Sequence, residues 1–196
     1  MKKSKDCSNL AILASGNGTN AANFMDYFKN HPYIRITLVI SNNPSAYVLT
    51  RAASRDIPAR VIRNSEWDDK NLVSEVLETY NIGAIVLAGY LKLIPSWLVD
   101  MYPNRIFNIH PALLPDYGGK GMYGMHVHKA VVEAGERYSG ITIHLVNEAY
   151  DKGKILFQKK IELAENETAE SLAAKIHELE YLHYPRIVES NLNPKT

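Results

Sequence analysis

Short apolar runs, rich in β-branched residues and mostly bounded by Gly, Asn or Pro, recur at 10–14, 34–40, 84–88, 106–109, 141–146 and 155–157. Runs of this length closed by turn residues predict strands, because they are too short for helices and their side chains suit a buried pleated surface. Between the early runs, apolar positions fall at helical spacing over 21–28, 46–53 and 66–80, the last with Leu72, Val76, Leu77 and Tyr80 on one stripe. Strands alternating with helices predict right-handed βαβ crossovers and a mainly parallel sheet covered on both faces. The later runs are not separated by patterns of helical length, so an antiparallel addition at one edge is expected. A final helix is expected over 169–189, entered by Thr168 as N-cap and disturbed near Pro185. The expected fold is therefore α/β and Rossmann-like: a single domain over 1–196, with a mostly parallel sheet, helices on both faces and an antiparallel edge.

Composition narrows the class of ligand. The chain has 196 residues, 46% of them hydrophobic, which suffices for one well-buried core. Lys and Arg number 22 against 21 Asp and Glu, leaving +1. No chain-wide field would hold a nucleic-acid backbone or an anionic membrane, so an anionic ligand must be caught locally. The opening lysines are not followed by a signal-like apolar stretch, and no run approaches the length of a membrane span. Cys7 is the only cysteine, which excludes an intrachain disulfide and fits a reducing compartment. The expected location is the cytoplasm.

Four segments carry candidate chemistry. The first strand runs into Ala14-Ser15-Gly16-Asn17-Gly18-Thr19-Asn20 and then into a helix. Glycines allow close backbone approach and a helix N-terminus favours negative charge, so the segment suits a phosphate. A tight turn capped by Asn or Thr would look the same. The spacing is that of neither a P-loop nor a complete dinucleotide fingerprint, since Ala21 stands in the third glycine position. In Ile106-Phe107-Asn108-Ile109-His110-Pro111, period-two alternation places Asn108 and His110 on one face of a strand that Pro111 ends. A buried pair bonded to backbone is the alternative. Asp151 lies in a turn before Gly153; it is either an ordinary Asx-turn residue or, beside His110, a carboxylate that raises the imidazole pKa. The glycine-rich stretch 117–128 reads as a mobile active-site loop. Its His126 and His128 have no third ligand nearby, so they are expected to face solvent or substrate rather than zinc.

SGNGTN after the first strand, Asn-x-His-Pro-x-Leu-Leu-Pro at 108–115 and the later Tyr150-Asp151-Lys152-Gly153 together resemble the folate-dependent formyltransferases over nearly the whole chain. The second motif is shared with methionyl-tRNA formyltransferases and formyltetrahydrofolate deformylases. The expected basic C-terminal domain of the former and N-terminal domain of the latter do not fit this length. The SGNGTN loop points instead to the branch acting on glycinamide ribonucleotide. A nucleotide-binding dehydrogenase or a nucleotide-sensing module shares only the opening. The resemblance implies transfer of the formyl group of 10-formyltetrahydrofolate, a co-substrate, to the amine of glycinamide ribonucleotide in purine biosynthesis, without a metal. It implies Asn108, His110 and Asp151 as the catalytic trio, and Gly18, Thr19, Asn20 and Glu180 as contacts to the ribonucleotide. The folate would lie along Leu91, Lys92, Leu93 and Ile94, and along Asn108 and Asn147, Glu148, Ala149, Tyr150 and Asp151. Two departures stand out: an ungapped register puts Glu66 where some relatives carry a folate-contacting Arg, and Lys152 replaces a Gly. The partners expected are these two small molecules, not nucleic acid or membrane, for a monomer or homodimer.

Overall fold

A computed structural model describes residues 8–192, so Cys7 lies outside the described residues. The strands are β1 (Ser8–Leu13), β2 (Ile34–Ser41), β3 (Ala59–Val61), β4 (Ile82–Leu87), β5 (Ile106–His110), β6 (Tyr138–Leu145) and β7 (Ile155–Glu162). They form a seven-stranded sheet in the order β3-β2-β1-β4-β5-β6-β7. The fold is α/β and Rossmann-like. The chain divides into two compact units, one reaching Ile106 and taking in the chain again from Glu189, the other Phe107–Val188.

In the first unit β1 pairs in parallel with both β2 and β4, and β2 with β3. The connecting helices are α1 (Thr19–Tyr27), α2 (Tyr47–Ala53) and α3 (Lys70–Thr79). Leu10–Leu13 and Ala84–Val86 are fully buried, which is why these strands read as unbroken apolar runs rather than as alternation. β3 escapes the apolar pattern because it is only three residues long and Arg60, at its centre, is exposed. The helix expected over 66–80 begins later. Asp69 accepts from the N–H groups of Asn71 and Leu72, both at 3.1 Å, and so starts α3 at Lys70, after a short 3-10 turn at Asn64–Glu66. Its buried stripe is Val73 and Leu77, while Leu72 is exposed. A six-residue helix, α4 (Ser96–Met101), follows Pro95 and was not evident from the pattern; it buries only Leu98.

In the second unit β5, β6 and β7 are antiparallel neighbours, as the edge addition required. The expectation that no helix separates the later strands is overturned by α5 (Met125–Glu133), which lies between β5 and β6. Val127 and Val131 supply its buried face one turn apart, and the glycines before it end at Gly124, its N-cap residue. The closing helix α6 (Ala169–Leu192) starts as expected, with Thr168 Oγ1 accepting from Ser171 N at 3.1 Å, and continues through Pro185. Within this unit the Tyr184 hydroxyl, fully buried, donates to the Phe107 carbonyl at 2.9 Å.

Candidate active site

The register of β5 against β6 sets Asn108 opposite His144 and His110 opposite Thr142. Alternation on both strands gathers these four polar side chains, and Asn108 Nδ2 lies 3.1 Å from His144 Nε2. Thr142 ties the chain that follows His110: its hydroxyl donates to Ala112 O at 2.7 Å and accepts from Leu114 N at 3.0 Å and Gln158 Nε2 at 2.9 Å. The strand end is therefore held rigidly by groups outside the motif that names it.

Asp151 reaches the same cluster from the turn after β6. Asn147 makes the Asx turn there, with Ala149 N donating to its Oδ1 at 3.1 Å, which leaves the Asp151 carboxylate for other partners. Asp151 itself takes the left-handed conformation, φ 54°. Its Oδ1 is 3.4 Å from Asn108 Nδ2 and 3.5 Å from His144 Nε2. Its Oδ2 accepts from Gly119 N at 2.9 Å and sits 3.6 Å from His110 Nδ1. Lys152 is not among the described residues at positive φ, so a Lys in place of Gly there is not forced into a left-handed backbone. Gly153 is required for space: a Cβ there would meet the Leu145 carbonyl oxygen at 1.6 Å.

His110 Nε2 lies 2.8 Å from the Tyr117 carbonyl, so the ring carries its proton on that nitrogen. Burial dominates its titration and pulls the pKa below the ordinary histidine value, although Asp151 pushes it up. The expected net rise is therefore corrected: the imidazole is almost wholly buried, and desolvation exceeds the attraction of a carboxylate 3.6 Å away. Asp151 is pulled the other way: burial raises its pKa, but the polar groups around it, the Gly119 N–H among them, outweigh burial and hold the carboxyl below its usual value. The resting pair is thus a carboxylate beside a mostly neutral imidazole.

Part of the segment expected to be a mobile loop is helical. Residues 117–124 are irregular, with Tyr117, Gly119, Gly121 and Gly124 all at positive φ, but His126 and His128 lie in α5. Two positions apart on a helix, their side chains diverge: His126 is exposed and His128 buried, so the second does not face solvent. Among the described residues no group of three His, Cys, Asp or Glu side chains is arranged to hold a metal ion. Sequence reasoning missed His144, Tyr117 and Gly119. His144 carried a signal, since Thr142 and His144 alternate with Ile141, Ile143 and Leu145; the two backbone groups carried none.

In the first unit, the loop after β1 is braced by Ser15 N donating to Gly89 O at 3.0 Å and Val48 N to Gly16 O at 3.2 Å. Arg51 grips Asn17 twice, with Nε on its carbonyl at 2.8 Å and Nη2 on its Oδ1 at 3.0 Å. The N-cap residue of α1 is Gly18, at φ 71°, rather than an Asn or Thr side chain. A Cβ at Gly18 would lie 2.4 Å from Val48 Cγ2. Thr19 and Asn20 open a helix with no acid in its first turn, which leaves the partial positive charge of that terminus unopposed. Beyond β4, Leu91 and Leu93 are exposed while Ile94 is buried. In the second unit Glu180 is buried on α6 at 6% exposure.

The formyl transferase family model matches residues 8–188, and the chain belongs to that family. It is 41% identical over 185 residues to the chloroplastic phosphoribosylglycinamide formyltransferase of Arabidopsis thaliana, covering 91% of this chain and 63% of that protein. The chain thus spans less than two thirds of the length of that plant relative. The phosphoribosylglycinamide formyltransferase of Bacillus subtilis is 34% identical over 187 residues, with 93% of each chain covered. Among solved structures, the phosphoribosylglycinamide formyltransferase of Bacillus halodurans superposes with a TM-score of 0.85 at 33% identity, over 95% of this chain and 96% of that one.

Proposed function

We propose that this chain, acting along its whole length as one catalytic domain, transfers the formyl group of 10-formyltetrahydrofolate to the amine of glycinamide ribonucleotide. The products are formylglycinamide ribonucleotide and tetrahydrofolate, in purine biosynthesis. The observation that carries the reading is the meeting of Asn108, His110 and Asp151 in one half-buried cluster, from positions 43 residues apart at the extremes.

The acceptor amine attacks the formyl carbon and creates a tetrahedral intermediate with an anionic oxygen. Asn108 offers an amide N–H to that oxygen, the type of donor whose removal costs most in acyl transfer. His110 begins neutral with its Nε2 proton held by the Tyr117 carbonyl. It takes up the proton that the amine sheds, and the Asp151 carboxylate stabilises the imidazolium so formed. The proton then passes to the leaving nitrogen of the folate, so none is gained or lost overall. Gly18, Thr19 and Asn20 are assigned to the substrate phosphate and ribose, and Glu180 to the ribonucleotide. Leu91 to Ile94, Asn108 and Asn147 to Asp151 are assigned to the folate. Holding both substrates supplies much of the remaining acceleration by orientation. A reducing compartment such as the cytoplasm suits a chain with a single cysteine.

Tetrahydrofolate formation followed with glycinamide ribonucleotide, with other amine acceptors and with none tests the reading. Release that depends on glycinamide ribonucleotide supports it. Equal release without an acceptor would make the chain a deformylase.

A further inference from the structure

We infer that His144 is the positioning residue of this cluster: uncharged, with its proton on Nδ1, it fixes which end of the Asn108 amide faces the reacting formyl group. Its consequence for catalysis rests on the formyl-transfer reading; the hydrogen-bond pattern that defines its state does not.

His144 Nδ1 lies 2.9 Å from the Leu145 carbonyl oxygen. A carbonyl can only accept, so Nδ1 carries a hydrogen. The other nitrogen faces Asn108 Nδ2 at 3.1 Å, and the same amide atom is 3.4 Å from Asp151 Oδ1. An ionised carboxylate also only accepts. The amide end turned toward it must therefore be the NH2 group, because a flipped amide would set oxygen against oxygen. An NH2 group facing His144 Nε2 at 3.1 Å in turn requires a lone pair on that nitrogen, which leaves His144 neutral; Asp151 Oδ1, farther from Nε2 at 3.5 Å, then takes its hydrogen from Asn108 and not from His144. At 2% exposure the ring has no bulk solvent to replace either bond.

This arrangement gives the cluster a fixed polarity. One Asn108 N–H is spent on His144 Nε2, and the second is held only by the long contact with Asp151 Oδ1. The second is the one offered to the forming oxyanion. An amide flip is nearly isosteric and would present a carbonyl oxygen to the developing negative charge instead, so the lone pair of His144 protects the donor that the reaction needs. Sequence and fold supply the pairing directly, since Asn108 and His144 are register partners on adjacent strands.

Two substitutions separate positioning from plain packing. In His144→Gln the amide oxygen stands where Nε2 stood and keeps an acceptor for Asn108 while losing the Leu145 bond. His144→Asn keeps a donor near Leu145 and loses the acceptor. Turnover should stay within about fivefold of wild type in His144→Gln and fall at least about tenfold in His144→Asn, with both Michaelis constants within about twofold. A loss that is equal in the two variants, or larger in His144→Gln, overturns positioning. Nitrogen-15 NMR of the wild-type protein should show His144 protonated on Nδ1 alone at the pH of the assay, and needs no variant to fold. Protonation on Nε2, or on both nitrogens, overturns the assignment even in an active enzyme. A wild type that forms no formylated ribonucleotide would instead sink the functional reading and leave the nitrogen spectrum standing.

Discussion

The roles assigned to Asn108, His110 and Asp151 differ in what each substitution should disturb. Asn108 provides hydrogen bonds that strengthen only as charge develops on the formyl oxygen. Asn108→Ala should lower turnover on the order of a hundredfold while leaving the melting shift induced by glycinamide ribonucleotide near wild type, and near-normal turnover would remove it from the mechanism. For His110 the direction of the pKa is decided by burial against the groups that favour the charged ring. Burial lowers it and Asp151, 3.6 Å from Nδ1, raises it by less. Neutralising the carboxylate in Asp151→Asn leaves only the Tyr117 carbonyl to oppose burial, so the His110 titration should move further down, and turnover should collapse because the imidazolium loses its counter-ion. A histidine titration that stays in place or moves up in that variant, followed by NMR, would show that the two side chains do not interact as charges.

At the scale of elements, the turn between β6 and β7 carries more of the site than its sequence suggests. Gly153 packs so closely on the Leu145 carbonyl that any side chain must move backbone. That same carbonyl holds His144 Nδ1. Gly153→Ala should therefore destabilise the protein by about 1–3 kcal/mol or more and lower turnover together with it; denaturant melting beside steady-state rates checks both, and an unperturbed variant would mean the turn yields freely. Such couplings mark where sequence reading stopped. β1, β2 and β4 were legible because burial leaves unbroken apolar runs, and Asn108 and His110 because strand alternation must put them together. α5 was obscured because glycines at 118, 119, 121 and 124 precede it directly, and its apolar face rests mainly on Val127 and Val131. Pairing His144 with Asn108 needed the antiparallel register, which sequence spacing does not give. The Gly119 N–H and the Tyr117 carbonyl lie on the backbone, where residue identity says almost nothing about which bonds form.

At the scale of the whole molecule, the near-balance of 22 basic and 21 acidic residues means that acid sensitivity should arise first from individual buried groups. His128 is the leading candidate. It is 3% exposed on α5, its Nδ1 finds no hydrogen-bond partner among the described residues, and its pKa is lowered to about 4 by burial first, then by the neighbouring charges of His177 and His110. In the unfolded chain the same ring titrates near the ordinary value of about 6.5. Between these two values the unfolded state binds the proton and the folded state does not, so lowering the pH favours unfolding. The stability contributed by the neutral ring is intact above pH 6.5 or so and is lost progressively down to about pH 4. At about 1.4 kcal/mol per unit of pKa difference, the whole window corresponds to roughly 3 kcal/mol. His110, also lowered by burial, acts in the same direction, whereas Asp151, with its depressed carboxyl, contributes only at more acid pH. His128→Leu removes the largest of these titrations and fills a similar volume with apolar atoms. Urea denaturation from pH 7.5 to 4.5 should then show the wild type losing stability relative to the variant by a few kcal/mol, with most of the divergence below pH 6.5. Parallel curves for the two proteins would mean that the ring gains a proton in the folded state as readily as in the unfolded one, so that burial of His128 exacts no cost from its charged form.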